Sequence, residues 1–472
     1  MSWEPVIGLE IHVQLKTRTK MFCRCANEWG AEPNTRTCPV CLAFPGALPV
    51  PNGKAIEWAI KLGLALGSDI APHALFHRKN YFYFDNPKGY QISQYDSPIC
   101  VGGSFTVPGP DGDREIGIVR AHLEEDAAKT VHVGGEGCRI RGAGASLVDF
   151  NRAGTPLVEI VTEPDVRSPE EARRFLQLLR QTIVELGISD AEMEKGSLRC
   201  DANVSVREAG EEGYRTKTEL KNMNSFKFVA DGIAAELTRQ IEIYEGGGAV
   251  DQETLHFDPS TGGLTSLRSK EEAHDYRYFP EPDLVPVEPS AELIGHAGEN
   301  LPELPGLRIR RFEADYGLAF YDADVLNGSA PLAALFERTV VAGADAKAAA
   351  NVLQNQFAGA GVDPAAVDAT ELAKLVEGRD SIPRATFAEA LAASGGDGFS
   401  ADRYLADTSI SDEAELDPVI DKILAANAGQ VEQYRGGKEG LLGFFVGQVM
   451  KETGGKANPK VVSERVKEKL GA

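Results

Sequence analysis

The chain has 472 residues, 42% hydrophobic and 25% charged, with 49 Lys plus Arg against 71 Asp plus Glu and a net charge of −22. This is a globular composition, long enough for two to four domains at roughly 100–200 residues each; the acidic balance excludes a generally nucleic-acid-attracting surface but not a local basic patch. No stretch reaches the ~18 consecutive apolar residues of a membrane span. The start, MSWEPVIGLEIHVQLK, lacks the basic-then-apolar order of a secretory signal, so the cytoplasm is the expected compartment.

Val6–Leu15 reads as a strand with Gly8, Glu10, His12 and Gln14 on one face and Leu9, Ile11 and Val13 on the other. A Glu beside a His suits a divalent cation with oxygen and imidazole ligands. An exposed polar sheet face explains the same pair.

Next come Cys23-Arg-Cys25 and Cys38-Pro-Val-Cys41, four of the chain's seven cysteines. Two such knuckles can present four thiolates tetrahedrally to Zn²⁺; a closed set of this kind is structural, not catalytic. The odd total argues against a secreted disulfide framework. Gly53–Leu66 follows with helical apolar spacing.

His77–Phe84, Lys88–Gln94 and His274–Asp283 mix aromatic, basic and amide groups. Such loops suit base stacking and phosphate contact, and equally suit aromatic packing at a sheet edge.

Ile118–Asp126 alternates, with Arg120, His122 and Glu124 on the polar face; Glu125 has the opposite parity and needs a bulge or the strand end to join them. The three consecutive acids Glu124, Glu125 and Asp126 call for a cation or for a solvated turn. Leu147–Phe150 and Leu157–Thr162 continue the strand pattern, and Ser168-Pro169-Glu170-Glu171 opens a helix running to about Leu186.

Leu198–Arg207 alternates again, with Arg199, Asp201, Asn203, Ser205 and Arg207 on one face; Thr216–Lys221 returns with Lys217, Glu219 and Lys221 together. Carboxylates beside cations on one face suit Mg²⁺ and phosphate chemistry, or else cross-strand ion pairs on a solvated sheet.

Six prolines between Pro280 and Pro305 mark a boundary, beyond which Leu332–Val341, Ala348–Phe357, Ala365–Glu377 and Ala385–Ala393 read as helices. A further helical region follows Gly395-Gly396. Arg435–Ala472 carries eight Lys/Arg against four Glu, a locally basic end. The expected fold class is therefore α+β: residues 1–290 a cradle on an antiparallel sheet with flanking helices, 291–400 an all-α domain and 401–472 an all-α tail. No P-loop, Gly-x-Gly-x-x-Gly, His-Glu-x-x-His or Gly-x-Ser-x-Gly motif occurs, so a nucleotide would need a different cradle.

Taken together, VIGLEIHVQLKT, the CxC…CPVC element, RKNYFYFDNPKGYQISQYD, HLEEDAAK, NRAGTPLVEIVTEPD, EKGSLRCDANVSVR, KTELKNMNSF, HDYRYFPEPDL and GFFVGQVMKETGGKANP resemble, in this order, the B-subunit family of the GatCAB aspartyl/glutamyl-tRNA(Asn/Gln) amidotransferase. One departure is Phe84, where that family usually carries Pro; the acidic, Ala-rich middle matches only loosely.

The resemblance implies an ATP- and Mg²⁺-dependent phosphorylation of the side-chain carboxylate of Glu-tRNA(Gln) or Asp-tRNA(Asn). Amidation by ammonia from a glutaminase A subunit follows, in a heterotrimer completed by a small C subunit. It implies Glu10, His12, Glu124 and Glu125 as Mg²⁺ ligands and Asp201 and Glu219 as holders of a second ion or as guides for ammonia. Lys79, Arg199 and Lys217 would neutralise phosphate. Tyr81 and Tyr83 would pack against the nucleotide or the tRNA end, and the tail would meet the tRNA body. Cys23, Cys25, Cys38 and Cys41 would hold structural Zn²⁺. The rival readings are a non-catalytic zinc-containing tRNA-binding module and a free-standing amide ligase.

Overall fold

The computed structural model describes residues 2–134, 142–268, 276–410 and 412–471. His274 and Asp275 of the aromatic loop, and Cys138, lie outside these residues. The chain divides into two compact units, Met1–Leu307 and Arg308–Ala472.

The first unit is built on a mixed sheet, thirteen-stranded among the described residues. Its main path uses β1 (Trp3–Gln14), β2 (His77–Asn80), β3 (Tyr90–Ser93), β4 (Gly112–Glu125), β5 (Pro156–Thr162), β6 (Leu198–Glu208), β7 (Thr218–Met223), β8 (Thr254–Asp258), β9 (Gly263–Arg268) and β10 (Phe279–Pro280). Their spatial order is β9-β8-β7-β6-β1-β5-β4-β3-β2-β10. The long strand β1 is central and antiparallel to both β5 and β6. Its odd side chains drive this: Leu9, Ile11 and Val13 are each at most 1% exposed, as strand alternation requires when one face is core.

The sheet departs from the antiparallel expectation at one pair. Strands β7 and β8 run parallel, because the helix α3 (Phe226–Glu245) lies between them in sequence and carries the chain back to the same edge.

Three helices of this unit start at a side-chain cap, of which sequence reading named only Ser168. Asn52 caps α1 (Gly53–Ala65), Ser168 caps α2 (Pro169–Glu185) with Pro169 in its first turn, and Ser225 caps α3. Each side-chain oxygen accepts a first-turn amide that would otherwise go unsatisfied. Phe175, Leu176 and Leu179 of α2 are fully buried.

Among its described residues, the second unit is mostly helical. The Ala348–Phe357 segment, expected as one α-helix, is helical over Ala346–Val352 and then loosens into a π turn at Leu353–Phe357. The last helices close a core of their own around Leu416, Ile420, Phe445, Val449, Val462 and Val466. Among the described residues no helix is long and apolar enough to cross a membrane.

Candidate active site

The polar face of the sheet carries the site. Register brings Arg199, His12, Glu159 and His122 into one row across β6, β1, β5 and β4. In the next row Glu10 stands opposite Asp201. Facing side chains on neighbouring strands are about 5 Å apart at Cβ, so long polar groups meet.

They converge on the His12 imidazole. Its Nε2 lies 3.6 Å from Glu10, 3.6 Å from Glu124 and 3.4 Å from Glu159. The Glu159 carboxylate also lies 3.6 Å from His122 and 3.7 Å from Arg120. Glu159, His122 and Glu124 are all buried.

This crowding sets the protonation states. Burial works against a charged His12, yet its hydrogen bond to Glu159 and the charges of Glu124 and Glu10 raise it to about 9. Burial pushes Glu124 up to about 7, with Glu159 adding to the rise and His12 opposing it. Glu159 is held well below the carboxylate range, against its burial, by His122, His12 and Lys79. His122 falls to about 4 through burial, which keeps it neutral.

Two overlapping donor sets lie within 4.8 Å: Glu10, His12 and Glu159, and His122, Glu124 and Glu159. Carboxylate oxygens with one or two imidazoles form a hard donor set that fits Mg²⁺ or Mn²⁺.

Cations frame the site. Lys79 places its ammonium 4.9 Å from the Tyr276 ring centre; burial disfavours its charge, but Glu124, Tyr278 and Glu159 hold it above the usual lysine range. Arg199 lies 3.1 Å from Asp126, and its Nε is buried without a hydrogen-bond partner among the described residues. Asp126 also accepts from Gln14 Nε2 at 2.8 Å. On the far side, Lys221 bridges Asp201 at 2.7 Å and Glu219 at 3.0 Å.

Four expected site residues stand apart from this cluster. Glu125 points to the opposite face from Glu124, as alternation dictates; it pairs with Lys88 and accepts the Ile92 amide at 3.1 Å. Lys217 is exposed just before β7, and Lys221 instead meets the carboxylates. Tyr81 is half-buried, in the loop after β2, and lines a small cavity with Lys88, Glu125 and Asp126. Tyr83 is 47% exposed and packs on Phe84, ring centres 4.2 Å apart.

Sequence reasoning did not single out Glu159, and it placed His122 and Lys221 on polar faces without giving them a role. A signal for Glu159 was present: it is the one charged residue in the otherwise apolar run Pro156–Val161. A buried lone acid needs partners.

The four cysteines gather beside the other face of the sheet. Their sulfurs lie within 4.8 Å of one another, and the Cys38 amide donates to Cys41 Sγ at 3.1 Å. A cavity of about 160 Å³ between this loop and the sheet is lined by Cys23, Cys41, Phe22, Lys88 and Glu125. The loop is sewn to the 148–154 segment: Phe150 N donates to Asn34 Oδ1 at 2.8 Å, and Met21 N to the Gly154 carbonyl at 2.7 Å. Four soft donors so placed fit a metal such as zinc.

A buried carboxylate–imidazole cluster framed by Lys and Arg, on the face of an α+β unit, is suited to binding charged groups. Comparison gives the family. Residues 5–295 match the model described as the GatB/GatE catalytic domain, and residues 334–470 match the GatB domain. The aspartyl/glutamyl-tRNA(Asn/Gln) amidotransferase B-subunit of Trichlorobacter lovleyi is 50% identical over all of both chains. The B-subunits of Moorella thermoacetica and Geobacter sulfurreducens are each 49% identical, again over the full length of both. The chain belongs to this GatB family of tRNA-dependent amidotransferase subunits.

Proposed function

We propose that this protein activates and amidates the side-chain carboxylate of Glu-tRNA(Gln) and Asp-tRNA(Asn) in the cytoplasm. It does so in a complex with a glutaminase A subunit and a small C subunit. The observation that carries the reading is the convergence of Glu10, Glu124 and Glu159 on His12, with Lys79 and Arg199 alongside.

The substrate carboxylate is a poor acyl donor. Its oxygen attacks the γ-phosphorus of ATP, ADP leaves, and an acyl phosphate forms. Ammonia then attacks the acyl carbon, inorganic phosphate departs, and the amide remains. The attacking group is free ammonia, so no Ser or Cys nucleophile is required.

Glu10, His12, Glu124 and Glu159 would hold Mg²⁺, which draws charge from phosphoryl oxygens. The protein's own groups do the rest. Lys79 and Arg199 neutralise phosphate oxygens in a setting where burial strengthens each charge. The unpartnered Arg199 Nε supports this role, since a buried donor without a partner is costly unless a ligand supplies one. Lys221 already fills the space between Asp201 and Glu219, which favours this trio as a guide for ammonia over a second ion site. Tyr81 and Tyr83 lie outside the cluster and suit contacts to the nucleotide or the tRNA end. Zn²⁺ on the four cysteines would brace the loop behind the sheet. We assign residues 1–290 to the catalytic cradle, 291–400 to a helical domain and 401–472 to a tail that meets the tRNA body through its basic end.

Substituting Glu10→Ala in the assembled complex tests the reading. Glu-tRNA-dependent ATP hydrolysis should vanish while tRNA binding persists. ATP hydrolysis at the unaltered rate would show that the cluster is not the activation site.

A further inference from the structure

Lys20 is 0% exposed, a burial that lysine rarely tolerates. Its ammonium donates to the Phe150 carbonyl at 3.1 Å, and among the described residues no carboxylate forms an ion pair with it. A neutral carbonyl does not offset the removal of an ammonium from water. An anionic group close by must do so.

The local geometry names that group. Lys20 opens the turn bearing Cys23 and Cys25, and its amide donates to the Cys25 carbonyl at 3.1 Å. Gly154, at φ +86°, marks where three side chains meet. A Cβ built there would lie 3.6 Å from Lys20 Cδ, 3.7 Å from Glu125 Oε2 and 3.8 Å from Cys41 Cβ. Glu125 already has Lys88 as its partner. The remaining anion is the cysteine cluster. Four thiolates around a divalent cation leave a net charge of about −2, held in partly buried surroundings where nearby charge is felt strongly.

We infer that Lys20 is the buried counter-charge of the four-cysteine metal site, an inference that rests on reading Cys23, Cys25, Cys38 and Cys41 as zinc ligands. The ammonium offsets part of the thiolate charge and, through the Phe150 carbonyl, ties the metal loop to the segment behind the catalytic sheet. That segment holds the end of β4: Asp126 N donates to the Thr155 carbonyl and Gly154 N to the Asp126 carbonyl, each at 2.9 Å. Lys20 is thus a positioning residue that acts through the metal site and touches no substrate.

The full-length chain tests this by zinc content and by competition with a chromophoric chelator. A wild-type chain that binds no zinc rejects the zinc reading itself, whatever Lys20 does. If the wild type binds one zinc, Lys20→Met should weaken affinity roughly 10- to 100-fold, the usual cost of losing an outer partner of a metal site, and Lys20→Arg should restore most of it. Should Lys20→Met fail to give soluble protein, adding Cys38→His, which replaces a thiolate by a neutral imidazole, should recover solubility. A Lys20→Met affinity within about threefold of wild type, or a double variant no more soluble than the single one, overturns the inference.

Discussion

At the scale of single residues, Glu159 joins the most members of the cluster. It touches both histidines of the cluster and sits opposite His12 across the central strand pair. Glu159→Gln keeps the shape and removes the carboxylate charge shared by both candidate metal-donor sets. We expect ATP-dependent transamidation to fall by at least about 100-fold, the scale of losing one preorganised electrostatic group, with tRNA binding unchanged in a filter-binding assay. Activity close to wild type would place Glu159 outside the reaction. The contrast between Glu124 and Glu125 makes the same point from geometry. They are neighbours in sequence, yet one joins the cluster and the other pairs with Lys88 behind the sheet.

At the scale of elements, β1 presents the site because its other face is locked in the core. Ile11 is 0% exposed between Glu10 and His12. Ile11→Ala should destabilise the first unit by about 2–5 kcal/mol, the range for truncating a buried Ile, read from a denaturant midpoint. In the C-terminal helices, Arg465 pairs with Asp417 at 2.8 Å, and Lys469 lies 3.3 Å from the same carboxylate. The Arg465 hydrogen bond, with Lys469 behind it, lowers Asp417 from 3.8 to about 2. A carboxyl whose folded pKa is depressed contributes stability present above its unfolded value and lost as pH falls through the folded one. Asp417→Asn should therefore lower the melting temperature of the chain's C-terminal unit at neutral pH, and that difference should disappear between about pH 4 and pH 2. A difference that persists unchanged at pH 2 would show that the pair contributes through packing and not through charge. The Asp417 side chain is half-buried beside solvent, and solvent screening keeps the effect at neutral pH small.

At the scale of the whole molecule, each unit carries its own apolar core. The carboxylate–histidine cluster lies entirely within Met1–Leu307. Among the described residues, the carboxylate–histidine cluster contains no Ser or Cys. The purified chain alone should release no ammonia from glutamine in a coupled glutamate dehydrogenase assay. Measurable glutaminase activity without a partner would favour the free-standing ligase.

What the sequence by itself determined was whatever depends on neighbours along the chain. Strand alternation put Glu10 with His12 and separated Glu124 from Glu125, because side chains two apart share a face. The Ser168 cap set the start of α2, because a first-turn amide needs a nearby oxygen. The cysteine spacing brought four sulfurs together within one loop. Only the tertiary structure decided which strands stand side by side. Strand order is set by burying apolar faces contributed from across the chain, which no local pattern encodes. That order placed β5 between β1 and β4 and so delivered Glu159 to the centre of the site. It also set Lys221, and not Lys217, between Asp201 and Glu219, because the pairing of Ala202 with Leu220 brings the next position of each strand together. And it folded Lys20 out of water on the side of the sheet where Cys41 also meets Gly154.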